Sequence, residues 1–422
     1  MLSDAKIRAS YGLTGNNRVG DFAYMSQLNL SNVDGYSWNN QLVQGAQLQT
    51  LGNYNLKWES TKAADIGLDL GFFNQRIGLT MDYYHKKTYD LLLNANLPLS
   101  SGYQRAMMNV GAVRNSGFEL TLNTVNVQTK NFMWSTNFNI SFNRSKVLGL
   151  ADGEQSMDSF INWNSDYQSV PLYETCVGRP ITMFVGMVYD GLYQISDFTW
   201  QNDSDPSIPH ESRQYVLRDD VPDNGMARNQ IRPGYIRFKD FDDDKHVGSE
   251  DRRVLGDPNP KYIGGFSNSF TWKNFDLNVF FQFSGGNKIM NANRILFEGT
   301  YRYGLNQFAS YEDRWSPENP NSNNYVPGGQ KVAYYSDKTL EDGSYLRLKT
   351  VQIGYTLPKH LLTKLRISTL RIYFAAQNLY TWTAYSGYDP EVSIFNSPLT
   401  PGFDYLSYPR SRTYTVGLNL SF

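Results

Sequence analysis

The last ten residues, Thr413-Tyr414-Thr415-Val416-Gly417-Leu418-Asn419-Leu420-Ser421-Phe422, alternate with a period of two. Tyr414, Val416, Leu418, Leu420 and Phe422 share one face, and Thr413, Thr415, Gly417, Asn419 and Ser421 share the other. A helix repeats about every 3.6 residues and would mix the two sets, so the segment is a strand, apolar on one side and polar but uncharged on the other. Two environments accept such a strand. One is half of a water-soluble sandwich; the other is the wall of a transmembrane β-barrel, with lipid on one face and a wet lumen on the other.

The alternation recurs along the chain. Ile66, Leu68, Leu70 and Phe72 precede a tight turn at Asn74-Gln75, and Ile77, Leu79, Met81 and Tyr83 follow it. Phe118, Leu120 and Leu122 lead through a turn at 128–131 into Phe132, Trp134, Phe138, Ile140 and Phe142. Phe266 and Phe270 lead through Lys273-Asn274 into Phe275, Leu277, Val279, Phe281 and Phe283, and Val351, Ile353, Tyr355 and Leu357 form a further strand. Lys6 to Asn16 reads as an opening strand, a weaker one lies near Phe22 to Leu30, and 31–58 reads as a polar loop.

The connections are lopsided. Those at 73–75, 128–131, 273–274 and 358–366 are short, whereas 89–112, 147–182, 286–343 and 381–410 are long and rich in Asn, Pro, Gly and Tyr. A sandwich gives no reason for this, but an outer-membrane barrel does, with short turns in the periplasm and long loops outside. About eleven strands are evident, and an up-down order calls for two more between 147 and 260, best placed at Met183 to Tyr193 and Tyr235 to Phe241. The expected fold is therefore all-β, an antiparallel transmembrane β-barrel portion of about thirteen strands, roughly half of a barrel of about 22, with long extracellular loops and no plug domain.

Composition agrees. Of 422 residues 15% are aromatic, including 30 Tyr and 24 Phe, yet the mean hydropathy is −0.50. Aromatic girdles beside a polar lumen produce that pairing. The net charge of −1 gives no field directed at nucleic acid, and the single cysteine, Cys176, forms no intrachain disulfide and reads as a small filler residue. No apolar run reaches the length of a membrane-spanning helix. His85, His210, His246 and His360 are scattered and no nucleophile elbow or phosphate-binding glycine loop is present, so the expectation is a protein that is not an enzyme.

Several short motifs, in order, resemble the SusC/RagA-type TonB-dependent transporters of the Bacteroidetes outer membrane. They are Lys6-Ile7-Arg8-Ala9-Ser10-Tyr11-Gly12, Leu56-Lys57-Trp58-Glu59, Tyr83-Tyr84-His85-Lys86-Lys87 and Asn115-Ser116-Gly117-Phe118-Glu119. Further along come Gly178-Arg179-Pro180, Arg314-Trp315-Ser316-Pro317-Glu318-Asn319-Pro320, Tyr345-Leu346-Arg347-Leu348-Lys349, Gln377-Asn378-Leu379, Asp389-Pro390-Glu391 and Tyr408-Pro409. The resemblance covers essentially all of 1–422 and corresponds to the carboxy-terminal part of that family's barrel, so a signal peptide, TonB box, plug domain and first half of the barrel are expected to be missing. It implies location in the cell outer membrane and uptake of oligosaccharides or peptides, energised by TonB through the missing amino-terminal part. It also implies a SusD-like lipoprotein as lid, and Phe422 resembles the terminal aromatic read by outer-membrane assembly machinery. The competing reading is a soluble or surface-exposed β-protein that binds glycans, with or without calcium. The two differ over Phe132, Trp134, Phe138, Ile140 and Phe142, which face lipid in the first and need a covering second layer in the other.

The sharpest local pattern is Asp240-Phe241-Asp242-Asp243-Asp244-Lys245-His246-Val247-Gly248-Ser249-Glu250-Asp251. Counting Asp240 as position 1, carboxylates fall at 3 (Asp242), 5 (Asp244) and 12 (Asp251), and His246 at 7 would offer its backbone carbonyl. That spacing resembles an EF-hand calcium loop, which suits a hard cation in a structural role, but Lys245 stands where a glycine usually makes the bend. The other reading is a solvated acidic loop. Long-loop aromatics, namely Tyr36, Trp38, Trp163, Tyr167, Trp200, Tyr301, Tyr303, Tyr325, Tyr334, Tyr335, Tyr385 and Tyr388, either stack on substrate or pack loop against loop; the substrate-binding residues are not set by the sequence.

Overall fold

The computed structural model describes all residues except 1, 18–20, 27, 49–50, 97–104, 151–152, 201–206, 210–211, 300–303, 329–333, 363–365 and 396. The chain divides into two units. One comprises Met1–Thr129, Met133–Met157 and Thr175–Ile181, and the other Lys130–Phe132, Asp158–Glu174 and Thr182–Phe422.

In the first unit, β1 (Leu2–Asn16), β2 (Glu59–Phe72), β3 (Ile77–Asn96), β4 (Arg105–Gln128) and β5 (Phe132–Gly149) pair antiparallel in chain order. The register lines up apolar residues across all five strands, as in the row Ile7, Leu68, Met81, Leu120, Ile140 and the row Ala9, Ile66, Tyr83, Phe118, Phe142. The other face is polar, with rows such as Arg8, Gly67, Asp82, Glu119, Ser141. There Arg8 bridges Asp69 at 2.8 Å and Asp82 at 2.7 Å.

The second unit repeats the design with β6 (Tyr262–Trp272), β7 (Phe275–Gly285), β8 (Tyr345–Thr356), β9 (Thr369–Thr383) and β10 (Thr413–Ser421). Phe270, Leu277, Ile353, Phe374 and Val416 form one apolar row, and Trp272, Phe275, Tyr355, Ile372 and Leu418 the next. These faces are not covered. Val416 is 78% exposed and Leu418 58%, and none of Phe132, Trp134, Phe138, Ile140 and Phe142 is buried. A strand face of this chemistry left open is a lipid face, and no helix among the described residues is long and apolar enough to cross a membrane.

Two expectations need correction. The two meanders hold ten long strands among the described residues, not about thirteen. The segments assigned as extra crossings are short strands, Met183–Gly186, Tyr189–Leu192 and Ile236–Phe238, that pair with Arg253–Gly256, Pro171–Cys176 and each other. Their neighbours alternate poorly because Phe184, Val185 and Gly186 are all buried in succession, as in a core rather than a half-wet wall. The segment 31–58, read as a loop, contributes to a hairpin of Leu28–Trp38 with Gln41–Leu48.

The buried cores lie in what looked like loops. One cluster holds Tyr167, Leu172, Tyr173, Phe184, Met290 and Phe403; another holds Leu192, Ile236, Phe238, Trp315 and Tyr325; a third holds Tyr193, Phe198, Tyr215 and Tyr235. The long connections of the second unit are thus folded matter, held by the same apolar burial that stabilises a soluble domain.

Candidate functional site

In the acidic loop, carboxylate oxygens of Asp240, Asp242 and Asp244 all lie within 4.8 Å of one another. The backbone makes this possible. Asp240 accepts the N–H of Asp243 at 2.7 Å and of Lys245 at 3.0 Å, and Asp243 and Lys245 take φ of +64° and +67°. Lys245 therefore makes the left-handed bend without being a glycine. Burial acts to raise the Asp240 carboxyl, but those two N–H groups together with the Asp242 side chain and the Lys245 charge outweigh it and hold it below its ordinary value. Asp242 moves the other way, pushed up by loss of hydration and by the Asp244 charge.

The remaining members of the pattern are placed differently. Asp251 is buried, and its two oxygens accept the N–H groups of Phe241 at 2.7 Å and Gly248 at 3.0 Å. It clamps the loop ends together. The His246 ring sits on Asp223, Nδ1 to Oδ2 3.0 Å, while Asp223 Oδ1 accepts the Val247 N–H at 3.0 Å. The Asp223 hydrogen bond and charge raise His246 above its ordinary 6.5. Protonated His246 consequently favours the folded loop fully below pH 6.5, and that contribution fades as pH rises through the raised value. Proton NMR of the His246 ring is expected to titrate above 6.5, and Asp223→Asn to bring it down; an unchanged titration would rule the pairing out.

A cavity of about 350 Å³ lies beside α1 (Ala292–Phe297). Asn291, Asn293, Gln307, Phe308, Tyr388 and Leu406 are among its lining. Two of its amides are locked in place: Asn291 Nδ2 donates to Glu341 at 3.0 Å and to Ser386 at 3.2 Å, and Asn293 donates to Asn291 at 3.2 Å while accepting the Leu406 N–H at 2.8 Å. Arg294 neutralises the acids behind them, bridging Glu298 at 3.0 Å and Glu341 at 3.2 Å. Tyr388 is 76% exposed. Fixed neutral donors and acceptors beside open aromatic faces suit an uncharged ligand rich in hydroxyls or amides.

The segment carrying Tyr388 is latched to the wall. Arg347 on β8, 2% exposed, donates to Asp389 and Glu391 at 2.6 Å each and to Thr381 Oγ1 at 2.9 Å. Arg410 adds a second cation, 3.2 Å from Glu391 and 3.4 Å from Asp389.

Most of the aromatics expected on the loops are structural. Tyr167, Tyr325, Tyr335 and Tyr385 are buried; Trp163 donates to the Tyr335 hydroxyl at 2.7 Å, and Tyr385 to Asp404 at 2.5 Å. Trp200 and Tyr334 are half-buried, whereas Tyr36 and Trp38 are exposed. Tyr301, Tyr303 and His210 lie outside the described residues. The amide cavity went unread in the sequence, although Asn291-Ala292-Asn293 and Asn306-Gln307-Phe308 place four amides close to aromatics.

Comparison with known proteins accords with this architecture. Residues 3–242 match the family model for the TonB dependent receptor-like β-barrel. TonB-dependent receptor P3 of Formosa agariphila is 36% identical, over 99% of this chain and 39% of its own length. TonB-dependent receptor SusC of Bacteroides thetaiotaomicron is 27% identical over 100% of this chain and 38% of its own. Among solved structures, the RagAB peptide importer in its closed-closed state superposes with a TM-score of 0.76 at 25% identity, over 100% of this chain and 41% of that one. The chain thus spans about two fifths of the length of the curated relatives it matches. It belongs to the TonB-dependent receptor-like β-barrel family of the outer membrane, in its SusC/RagA type.

Proposed function

We propose that this chain forms barrel wall and extracellular loop mass of a TonB-energised importer that takes oligosaccharides or peptides across the outer membrane. The observation that carries the reading is the pair of apolar strand faces left uncovered while the long connections fold into buried cores and a locked amide cavity. The competing soluble glycan-binding reading needs a second layer over Phe138 and Ile140, and neither is buried. In this reading a SusD-like lipoprotein covers the long-loop side and TonB supplies the energy. Cells lacking the gene are expected to lose uptake of labelled oligosaccharide or peptide, and a protonophore to abolish uptake in cells that have it. Uptake unchanged by both treatments would overturn the proposal.

In the same reading Asp240, Asp242 and Asp244 hold a calcium ion that stiffens the loop and has no part in transport; its charge would relieve the repulsion among carboxylates gathered within 4.8 Å. Calcium at about a hundred times its dissociation constant is expected to stabilise the fold by about 2.7 kcal/mol. Asp242→Asn with Asp244→Asn should remove the effect, and thermal unfolding indifferent to calcium in the unmodified protein would exclude the site.

A further inference from the structure

The cavity beside α1 has no charged side chain in its lining among the described residues; carboxamides, the Ser386 hydroxyl and the rings of Phe297, Phe308 and Tyr388 make it up. Glu298 and Glu341, behind it, are both paired with Arg294. An ion entering this space would lose hydration without gaining a counter-charge, so the lining selects a neutral ligand.

The buried amides keep hydrogen-bonding capacity to spare. Asn293, 9% exposed, donates once, to Asn291, and accepts once, from the Leu406 N–H. A carboxamide carries two N–H groups and two lone pairs on its oxygen, so Asn293 has one of each left over. Asn291, 2% exposed, spends both N–H groups on Glu341 and Ser386 and keeps one lone pair. Away from water, hydrogen bonds that a ligand makes to such groups are worth more than at an open surface. Asn306 and Gln307 add two exposed amides to the same lining.

Hydroxyls and peptide groups do not complement a carboxamide equally well. Adjacent hydroxyls of a pyranose each donate and accept, so one can donate to the amide oxygen while its neighbour accepts the amide N–H. A peptide group is trans, with its N–H and C=O on opposite edges, and cannot present both to one carboxamide. Sites that hold a peptide by its backbone offer a row of main-chain groups, as at a sheet edge; here carboxamide side chains supply the polar lining. The rings complete the match. Tyr388 is 76% and Phe308 41% exposed, and the Phe308 ring centre lies 5.5 Å from that of Phe297, so apolar ring surface is open to the C–H face of a sugar. We propose that this cavity is a subsite for a neutral saccharide, with Asn293 and Gln307 on adjacent hydroxyls and Tyr388 against the face of the sugar ring. The inference names a substrate class for the importer proposed above and rests on that reading.

The test is isothermal titration of the purified chain in detergent. The probes are neutral gluco-, galacto- and manno-configured oligosaccharides, their fully O-methylated forms, a glucuronate oligosaccharide, and an uncharged peptide of similar mass, acetylated and amidated at its ends. At least one neutral oligosaccharide is expected to bind about tenfold or more tighter than its O-methylated form, the glucuronate oligosaccharide and the peptide. Tyr388→Ala should weaken that binding about tenfold, and Tyr388→Phe, which keeps the ring, should leave it within about twofold. Gln307→Ala should weaken it about fivefold. Tyr388 and Gln307 are exposed, so none of these changes threatens folding. No binding by any neutral oligosaccharide, binding untouched by Tyr388→Ala and Gln307→Ala, or equal or tighter binding of the O-methylated, glucuronate or peptide probe would overturn the proposal. Cellular uptake of labelled oligosaccharide and peptide is measured in parallel. If gene-dependent uptake persists while no saccharide binds, the importer stands and the subsite falls; if binding holds while all uptake is independent of the gene, the importer falls instead.

Discussion

Arg347→Ala is expected to destabilise the second unit by about 3 kcal/mol, the cost of taking the inner cation away from buried Asp389 and half-buried Glu391. Arg347 is 2% exposed and is the inner partner of both Asp389 and Glu391 at 2.6 Å. Arg410 already pairs with both acids from the outside, its side chain 44% exposed, and leaves the buried position of Arg347 unfilled. Asp389→Asn with Glu391→Gln in the Arg347→Ala background should recover much of the loss, since the charges left behind, more than the missing contacts, set the penalty. Urea unfolding in detergent, followed by tryptophan fluorescence, measures both. A single-variant cost under about 1 kcal/mol, as for an exposed ion pair, would show that the latch contributes nothing. Because Tyr388 lies on the latched segment and lines the amide cavity, ligand affinity there should fall together with stability.

The second large effect is expected at the wall. Leu120 sits in the apolar row of β4 between Met81 and Ile140, and Thr121 sits on the opposite face between Thr80 and Asn139. Leu120→Arg places a charge in hydrocarbon and should cost about 2–4 kcal/mol in bilayers. Thr121→Arg, one residue away, points to the polar face and should change stability by about 0.5 kcal/mol or less. Equal costs at the two positions would mean that both faces meet the same environment.

The wall was readable because its physics is local. From Ile66 to Tyr83 and from Phe266 to Phe283, alternation alone set strand and face, and the turns at Asn74-Gln75 and Lys273-Asn274 fell where expected. The hairpin Leu28–Trp38 with Gln41–Leu48 was missed because its strands are too polar to alternate visibly. Its signal was Asn39-Asn40, which take φ of +50° and +58° in a two-residue turn. The loop mass was misjudged for a different reason. Phe184, Val185, Ile236 and Phe238 are buried by partners far along the chain, so their spacing carries no period, and two stretches of core passed for membrane crossings. Arg347, Asp389 and Glu391 were each visible in a motif, but the ion network joins positions 42 and 44 residues apart and only folding brings them together. In the acidic loop the spacing did place Asp240, Asp242 and Asp244 side by side. It did not foresee that Asp251 would be taken up by backbone N–H groups.

Spin labels in a bilayer test most directly whether the uncovered strand faces lie against lipid. Labels at Ile353 and Phe374, paired across β8 and β9, are compared with labels at Gln352 and Tyr373, their neighbours on the opposite face. The first pair should relax strongly with oxygen dissolved in the membrane and weakly with a water-soluble nickel chelate, and the second pair should show the reverse. Loss of that alternation, with all four sites protected from both reagents or all four open to nickel, would contradict the barrel.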